Sequence, residues 1–303
     1  MADFGRVAVL MGGISAEREV SLMSGRAVLA ALEAAGVEAF AFDPAQRSIC
    51  DLRGERADRA FIALHGRQGE DGTVQGALEM LGIPYTGSGV AASALAMDKM
   101  RTKMVWIAGG IPTPTWEAVG PGVDADALCA RLGLPLVIKP AREGSTLGLT
   151  RVERAADVAA ACDRALAHDR LVIAESFIAG REYTAGFVGE EPLPLVRIEA
   201  PGGNYDYHSK YFSDETRYHC PCGLPPERER EIQAITMRAA ALLGCEGWGR
   251  ADLIVREDGS VQFLEMNTSP GMTGHSLVPM AAREAGYDFG RLVLRILEGA
   301  RAR

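Results

Sequence analysis

The sequence lacks the features of a membrane, secreted or nucleic-acid-binding protein. Its 303 residues contain no apolar run that approaches the ~20 residues of a membrane-spanning helix. The N-terminus has no secretory signal pattern. A formal net charge of -8 argues against a nucleic-acid or anionic-membrane partner, because either would require a basic surface. We therefore expect a cytoplasmic protein.

The cysteines of the sequence also indicate neither a disulfide framework nor a zinc site. Six cysteines form no disulfide framework in a chain of this length, so we expect free thiols. Cys220 and Cys222 form a C-P-C pair without a second pair at zinc-ligand spacing, and we interpret them as structural. No Ser-His-Asp or Cys-His set indicates a side-chain nucleophile. The composition is that of a globular protein, and the length predicts two or three domains.

One stretch near the C-terminus predicts a metal site. Two apolar-rich runs flank Glu257-Asp258-Gly259, which is a strong signal for a β-hairpin. Glu265 and Asn267 lie two residues apart, so a strand places both side chains on one face. Cross-strand pairing can bring Asp252 close to them. These oxygen ligands favour magnesium completed by water and substrate phosphates. The alternative is an exposed hairpin whose acidic residues face water.

The N-terminal region reads as an α/β unit. An apolar strand over Arg6–Met11 runs into Gly12-Gly13, and Ser15 is placed to cap the helix that follows. Glu17 falls in the first turn of this helix, where an acidic residue can simply complement the helix dipole. A second strand, over residues 60–64, ends at His65.

His65 and Lys99 each have a functional and a structural interpretation. The carboxyl end of a strand is where α/β proteins place ligand contacts, but His65 could equally be a satisfied structural residue. Lys99 lies on a helix that we predict from a Ser88 cap through Met104 to Gly109. A lysine on a helix is usually solvated surface. The Gly- and Ser-rich stretch at residues 85–89 predicts a domain boundary.

Two loops are candidates for ligand contacts. Residues 140–148 are rich in Gly, Ser and Thr and lie between two predicted strands, so their backbone N–H groups could meet phosphate oxygens. The loop differs from a Walker motif and could also be an ordinary hairpin loop. Residues 201–222 are long, polar and without period, which is typical of a lid or binding loop.

The motifs combine into a family resemblance. In order along nearly the whole chain, they are GGISAEREVSLMSG, FIALHGRQGEDGTVQG, YTGSGV with MDK, VIKPAREGSTLG, YDYHSKYFSDET, GWGRADL and LEMNTSPGMTGHS. Together they resemble the D-alanine–D-alanine ligases. The resemblance implies an ATP-grasp fold of the α/β (α+β) class, with ATP between the central and C-terminal of three α/β subdomains. We place these subdomains at 1–88 (first D-alanine side), 89–178 (phosphate loop) and 179–303 (metal site and lid segment).

The resemblance also implies the reaction. ATP phosphorylates the carboxylate of one D-alanine to an acyl phosphate, and the amine of a second D-alanine displaces phosphate. The product is D-alanyl-D-alanine for peptidoglycan precursors. The implied cofactors are ATP and two Mg²⁺ (or Mn²⁺), and the expected assembly is a homodimer. Because negative charge develops on oxygens in both steps, metal ions and fixed donors should supply most of the catalysis.

The resemblance assigns the site residues by role. It matches the metal ligands to Asp252, Glu265 and Asn267. It matches the nucleotide contacts to Lys99, Lys139, Gly144, Ser145, Thr146, Glu175, Phe177, Ile178, Glu182, Lys210 and Leu264. It matches the amino-acid contacts to Glu17, His65, Ser276 and Leu277. Arg250 and the Gly271 N–H match the oxyanion donors, and Tyr211 and Ser145 are expected to hydrogen-bond toward Glu17.

Two rival functions remain. A ligase of this fold could join D-alanine to D-lactate, or join other carboxylates and amines. Tyr211 favours the dipeptide, because the resemblance associates phenylalanine at that position with depsipeptide makers. The other rival is a non-catalytic nucleotide-binding regulator. The presence of Asp252, Glu265, Asn267 and Arg250 argues against it, since a sensor does not need all four.

Overall fold

The computed structural model describes residues 3–144, 146–200 and 216–303. Its first sheet is parallel, with β1 (Val7–Leu10) between β2 (Ala39–Phe42) and β3 (Arg59–Ile62). Helix α1 (Arg18–Ala34) joins β1 to β2, a 3₁₀ helix (Ile49–Arg53) precedes β3, and α2 (Thr73–Leu81) follows it. All four residues of β1 are buried, as expected for a parallel strand covered on both faces.

The predicted Ser15 cap is wrong. Helix α1 begins at Arg18, and no side chain caps it. The Ser15 hydroxyl instead donates to the carbonyl of His65 at 2.7 Å. The Ser15 oxygen still accepts from the Glu17 N–H at 3.2 Å, but this bond lies in the turn before the helix, because the loop is held by its contact with His65.

The single helix predicted after Ser88 is two helices, α3 (Val90–Met97) and α4 (Lys99–Ala108). Asp98 between them has an extended backbone, and its carboxylate caps α4 by accepting from the Arg101 N–H at 3.0 Å. The Ser88 cap is also wrong. Its hydroxyl accepts from the Glu246 N–H at 3.1 Å, so it joins two distant parts of the chain.

The second sheet has four antiparallel strands in the order β4-β7-β5-β6. They are β4 (Trp116–Val119), β5 (Leu136–Pro140), β6 (Thr150–Val152) and β7 (Val172–Ser176). Its helices are α5 (Ala125–Leu132), the 3₁₀ turn Ala155–Asp157, and α6 (Val158–Leu166). Leu128, Leu136, Ile138 and Val158 form part of one buried core between these helices and the sheet.

The third sheet contains the predicted hairpin. Its strands are β8 (Arg181–Val188), β9 (Glu191–Pro192), β10 (Val196–Glu199), β11 (Arg217–His219), β12 (Trp248–Val255) and β13 (Val261–Asn267). The strand order is β11-β10-β8-β12-β13, and β9 pairs with β8. Strands β12 and β13 are antiparallel neighbours, so the hairpin prediction is confirmed. Helix α7 (Pro226–Leu243) shares a core with Trp106 of α4 and Phe263 of β13.

Two helices return the chain to the first sheet. They are α8 (Leu277–Glu284) and α9 (Phe289–Glu298). Leu292, Val293 and Ile296 of α9 share a core with Val28 and Leu32 of α1. One sheet lies within each of the three predicted subdomains, and their boundaries stay a prediction. Within the described ranges, no helix is both long and apolar enough to cross a membrane.

Candidate active site

A cavity of about 680 Å³ lies between the second and third sheets. Lys139 and Glu175 line it from the second sheet, and Asp252 and Glu265 line it from the third. Predicted site residues around it also include Lys99, Thr146, Phe177, Ile178, Glu182 and Leu264. A larger cavity, of about 830 Å³, lies at the turn of the β12–β13 hairpin and has no predicted site residue in its wall. The chemistry therefore belongs to the cavity between the sheets.

The predicted metal ligands meet on one hairpin. Asp252 of β12 pairs directly with Glu265 of β13, and the register shifts just after Asp252. The Asp252 carboxylate accepts from the Thr184 hydroxyl at 2.7 Å and lies 3.3 Å from Arg250 Nη2. Asn267 Oδ1 accepts from the Ser269 N–H at 3.0 Å. Neighbouring groups therefore fix the direction of both side chains.

The donor set fits magnesium. Two carboxylates and one amide are hard oxygen ligands, and they are too few to close a calcium cage. In the part of the chain that the structure describes, no group of three or more His, Cys, Asp or Glu side chains could hold a metal ion. An incomplete set of this kind leaves positions for water and for phosphate oxygens.

Lys99 is buried, which contradicts its interpretation as a surface lysine. Its ammonium lies 3.1 Å from Glu265 Oε2 and donates to the Glu143 carbonyl at 2.7 Å. Burial opposes the charge, but the carboxylates of Glu265 and Glu175 outweigh it and raise the pKa of Lys99. Lys99 therefore presents a permanent positive charge beside the candidate metal ligands.

Glu175 lies between two lysines. Its Oε2 is 3.0 Å from Lys139 Nζ, and its Oε1 is 3.1 Å from Lys103 Nζ. Burial favours the neutral acid, but the two ammonium groups outweigh it and lower the pKa of Glu175. The carboxylate is thus charged and held on both sides, with Lys139 facing the cavity.

The remaining wall of the cavity is apolar. Phe177, Ile178 and Leu264 line it, and the Arg151 guanidinium lies 4.1 Å from the centroid of the Phe177 ring. A flat apolar surface backed by a cation suits a stacked aromatic base. Glu182 lies in the same wall and can accept hydrogen bonds from a ligand.

A second, much smaller cavity of about 40 Å³ lies between the candidate metal ligands and the residue that precedes α1, Glu17. Glu17, Gly144, Arg250, Glu265 and Asn267 line it. Glu17 is buried, and a Cβ atom added at Gly144 would lie 2.6 Å from its Oε2. Glycine at 144 therefore allows the backbone at this position to pass directly over the Glu17 carboxylate.

The structure gives His65 a positioning role. Its Nδ1 donates to the Ser269 carbonyl at 2.8 Å, which leaves Nε2 to accept from the Ser24 hydroxyl at 3.0 Å. Burial lowers the pKa of His65, so the ring is neutral. The Ser24 oxygen also accepts from the Met272 N–H at 3.0 Å. His65 thus holds the loop that contains Gly271, and a direct ligand contact stays a prediction.

The loop from Gly271 to Leu277 is tightly folded. The Ser276 hydroxyl accepts from the Thr273 N–H at 2.9 Å, and a Cβ atom at Gly271 would lie 2.8 Å from it. The Leu277 side chain is buried in the core shared by α1 and α9. Because Leu277 is the first residue of α8, its backbone N–H is the group that can reach a ligand.

Three predicted residues, Ser145, Lys210 and Tyr211, lie outside the described residues. The same holds for residues 201–215 of the predicted lid. Their roles stay predictions.

Comparisons with known proteins show the family of this chain. The family models "D-ala D-ala ligase N-terminus" and "D-ala D-ala ligase C-terminus" match residues 42–88 and 105–298. The D-alanine–D-alanine ligase of Aromatoleum aromaticum is 63% identical over 99% of this chain and 97% of its own length. That of an Azoarcus species is 62% identical over 98% of both chains. The chain belongs to the D-alanine–D-alanine ligase family.

Solved ligase structures show the same fold. The D-alanine–D-alanine ligase of Bacillus anthracis superposes with a TM-score of 0.86 at 34% identity, covering 97% of this chain and 96% of that one. The same enzyme complexed with ATP gives a TM-score of 0.85 at 32% identity, with the same coverage. This member of the ligase family therefore has the ATP-grasp fold, as predicted.

Sequence reasoning missed two charged residues of this ligase-family site. Glu70 is buried and lines the small cavity, where its carboxylate accepts from the Gly66 N–H at 2.6 Å. Burial and the nearby Glu17 carboxylate raise the pKa of Glu70 to about 8. Lys103 lies four residues after Lys99, a spacing that places both on one face of α4. That spacing was the available signal for Lys103, whereas Glu70 lay unmarked in a polar loop.

Proposed function

We propose that this chain is an ATP-dependent D-alanine–D-alanine ligase that makes D-alanyl-D-alanine for peptidoglycan precursors. The observation that carries the proposal is the single site formed by two cavities. Lys99 and Glu265 line both of them, so a nucleotide in the larger cavity would place its terminal phosphate toward Glu17. A ligase needs this arrangement, because the phosphoryl donor and the carboxylate must meet in one enclosed space.

Each part of the site has a chemical task. Phe177, Ile178 and Leu264 would contact the adenine, and Lys99 and Lys139 would bind the phosphates. Asp252, Glu265 and Asn267 would hold two Mg²⁺ (or Mn²⁺) ions, which neutralise charge on the transferring phosphoryl group.

The amino-acid substrates would bind on the other side. The Glu17 carboxylate would pair with the ammonium group of the first D-alanine. Arg250 and the Gly271 N–H would stabilise the negative oxygen of the tetrahedral intermediate. The Ser276 hydroxyl and the Leu277 N–H would bind the carboxylate of the second D-alanine. Tyr211 and Ser145 would orient Glu17.

The proposal also covers the subdomain boundaries, the cellular location and the assembly of the protein. The subdomains would be residues 1–88, 89–178 and 179–303, a division supported by one sheet in each. The protein would work in the cytoplasm, where ATP is available, and as a homodimer. Gel filtration with light scattering would test the assembly.

A coupled ADP-release assay tests the function. With ATP and Mg²⁺, D-alanine should support ADP release with one dipeptide formed per ADP, whereas L-alanine should not. Mixed D-alanine and D-lactate at pH 7 should give mainly dipeptide, which separates the proposal from its depsipeptide rival. ATP binding without ADP release, whatever amino acid is added, would favour the non-catalytic nucleotide-binding regulator instead.

The close approach of Gly144 to Glu17 predicts a selective effect on substrate binding. In Gly144→Ala the new methyl group must displace the Glu17 carboxylate, since the undisturbed distance would be 2.6 Å. Overpacking of this kind typically costs about 1–3 kcal/mol, so the KM for D-alanine should rise by roughly tenfold. The KM for ATP should rise less.

Gly120→Ala is the matched control. A Cβ atom there meets no atom within 4 Å, so both KM values should match the wild type. An unchanged KM for D-alanine in Gly144→Ala would contradict the placement of Glu17 at the first D-alanine.

A further inference from the structure

Lys103 is the most deeply buried charged group beside the nucleotide cavity. The chain has four lysines among its 32 basic residues, and Lys99, Lys103 and Lys139 are buried together around Glu175. Lys103 has 0% of its surface exposed and does not line the cavity, unlike the other two. Burying an ammonium group is costly unless it is paired, so its partners should show what it does.

The partners of Lys103 hold it behind the cavity wall. Its ammonium lies 3.1 Å from Glu175 Oε1 and donates to the Thr113 hydroxyl at 2.6 Å. Thr113 in turn donates to the Phe263 carbonyl at 2.8 Å. Phe263 belongs to β13, two residues before the candidate metal ligand Glu265. Lys103 therefore connects the strand that carries Glu175 with the strand that carries the metal ligand.

The charges of this cluster matter for an anionic ligand. The described cluster contains three ammonium groups, Lys99, Lys103 and Lys139, and two carboxylates, Glu175 and Glu265. It therefore has a net charge of about +1 before any nucleotide binds. Without Lys103 the net charge would be about zero, and Glu175 would pair with Lys139 alone. Lys139 would then be less able to attract a phosphate.

We propose that Lys103 is a positioning residue of the nucleotide site, which shares the Glu175 carboxylate so that Lys139 keeps its charge for a phosphate group. The inference rests on the proposed function, because it takes the ligand to be a nucleotide phosphate. Burial lowers the pKa of Lys103, and although the Glu175 carboxylate partly offsets this effect, the pKa falls to about 8, which still leaves the ammonium form predominant near neutral pH.

Equilibrium binding of ligands with an increasing number of phosphate groups tests the proposal without requiring catalysis. Binding of adenosine, ADP and ATP is measured with Mg²⁺ present and D-alanine absent. In Lys103→Met, the Kd for ATP should rise by at least ~10-fold, because a nearby unit charge is lost from a buried site. The Kd for ADP should rise less, and the Kd for adenosine should stay within about twofold of the wild type.

A loss of affinity that grows with the number of phosphate groups distinguishes an electrostatic effect from a loss of structure. A collapsed cavity would weaken the binding of adenosine as much as the binding of ATP. Arg101→Met is the matched control, because it removes a positive charge from the same helix at an exposed site that pairs with Asp98. Its ATP affinity should equal that of the wild type. An equal loss for adenosine and ATP, or an unchanged ATP affinity in folded Lys103→Met, would overturn the proposal.

A second variant covers the case in which Lys103→Met does not fold. Lys103→Met/Glu175→Gln removes both charges of the buried pair, a change that proteins often tolerate. The double variant keeps the net charge of the cluster at about +1 and leaves Lys139 without a carboxylate partner, so the ratio of its Kd values for adenosine and ATP should lie within about threefold of the wild-type ratio. A tenfold loss of ATP affinity relative to adenosine in the double variant would show that Lys103 acts by another route and would overturn the proposal. A wild-type chain that binds no ATP would overturn the proposed function as well.

Discussion

The variant Glu265→Gln should lose at least ~100-fold in kcat, because an uncompensated phosphoryl charge is costly in a buried site. Glu265 lies opposite Asp252 across the hairpin, and the substitution keeps the shape of its side chain but removes the carboxylate that lies 3.1 Å from the Lys99 ammonium. Steady-state dipeptide formation at saturating ATP and D-alanine, over a range of Mg²⁺ concentrations, measures the effect.

Glu257→Gln is the control for this prediction. It removes one carboxylate from the turn of the same hairpin, where the side chain is exposed. It should retain the wild-type kcat. Near-normal turnover of Glu265→Gln at ordinary Mg²⁺ would remove Glu265 from the metal site, and equal losses in both variants would point to a general effect on the hairpin.

Loss of the Arg250 guanidinium should be nearly as severe. Arg250 lies on β12, and its side chain lines the small cavity beside Glu17 and Asn267. If it stabilises the negative oxygen that forms during amine attack, Arg250→Met should lower kcat by about 100- to 1,000-fold. The Kd for ATP should change little, because the lost interaction forms only in the transition state.

Arg256→Met is the corresponding control, since Arg256 is exposed just beyond the end of β12. Its kcat should match the wild type. A rise in the ATP Kd of Arg250→Met that accounts for the whole loss of activity would place Arg250 at the nucleotide instead.

The metal hairpin could be predicted from the sequence because local rules determine it. Alternation along β12 and β13 sets the faces, and Glu257-Asp258-Gly259 sets the turn. Counting back from the turn would place Asp252 opposite Leu264, and the register shift between Asp252 and Leu253 places it opposite Glu265 instead, a detail that these local rules do not determine. Most strand and helix positions in the α/β units follow from apolar spacing.

Long-range contacts explain what the sequence could not show. A lysine on a helix is ordinarily solvated, and Lys103 is buried only because α4 packs against the third sheet. The same is true of the two failed caps. The hydroxyls of Ser15 and Ser88 bond to His65 and Glu246, which are distant in the sequence. The break at Asp98 was hidden because apolar spacing continues across it.

The most direct test of the ligase assignment is to trace the carboxylate oxygens of D-alanine into the released phosphate. D-Alanine labelled with ¹⁸O in both carboxylate oxygens is incubated with unlabelled ATP and Mg²⁺, and the released phosphate is analysed by mass spectrometry. If an acyl phosphate forms, one carboxylate oxygen leaves with the phosphate when the second amine attacks. We predict one ¹⁸O in each phosphate, equal in amount to the D-alanyl-D-alanine formed. Dipeptide accompanied by unlabelled phosphate, or labelled substrate that yields no dipeptide, would contradict the account.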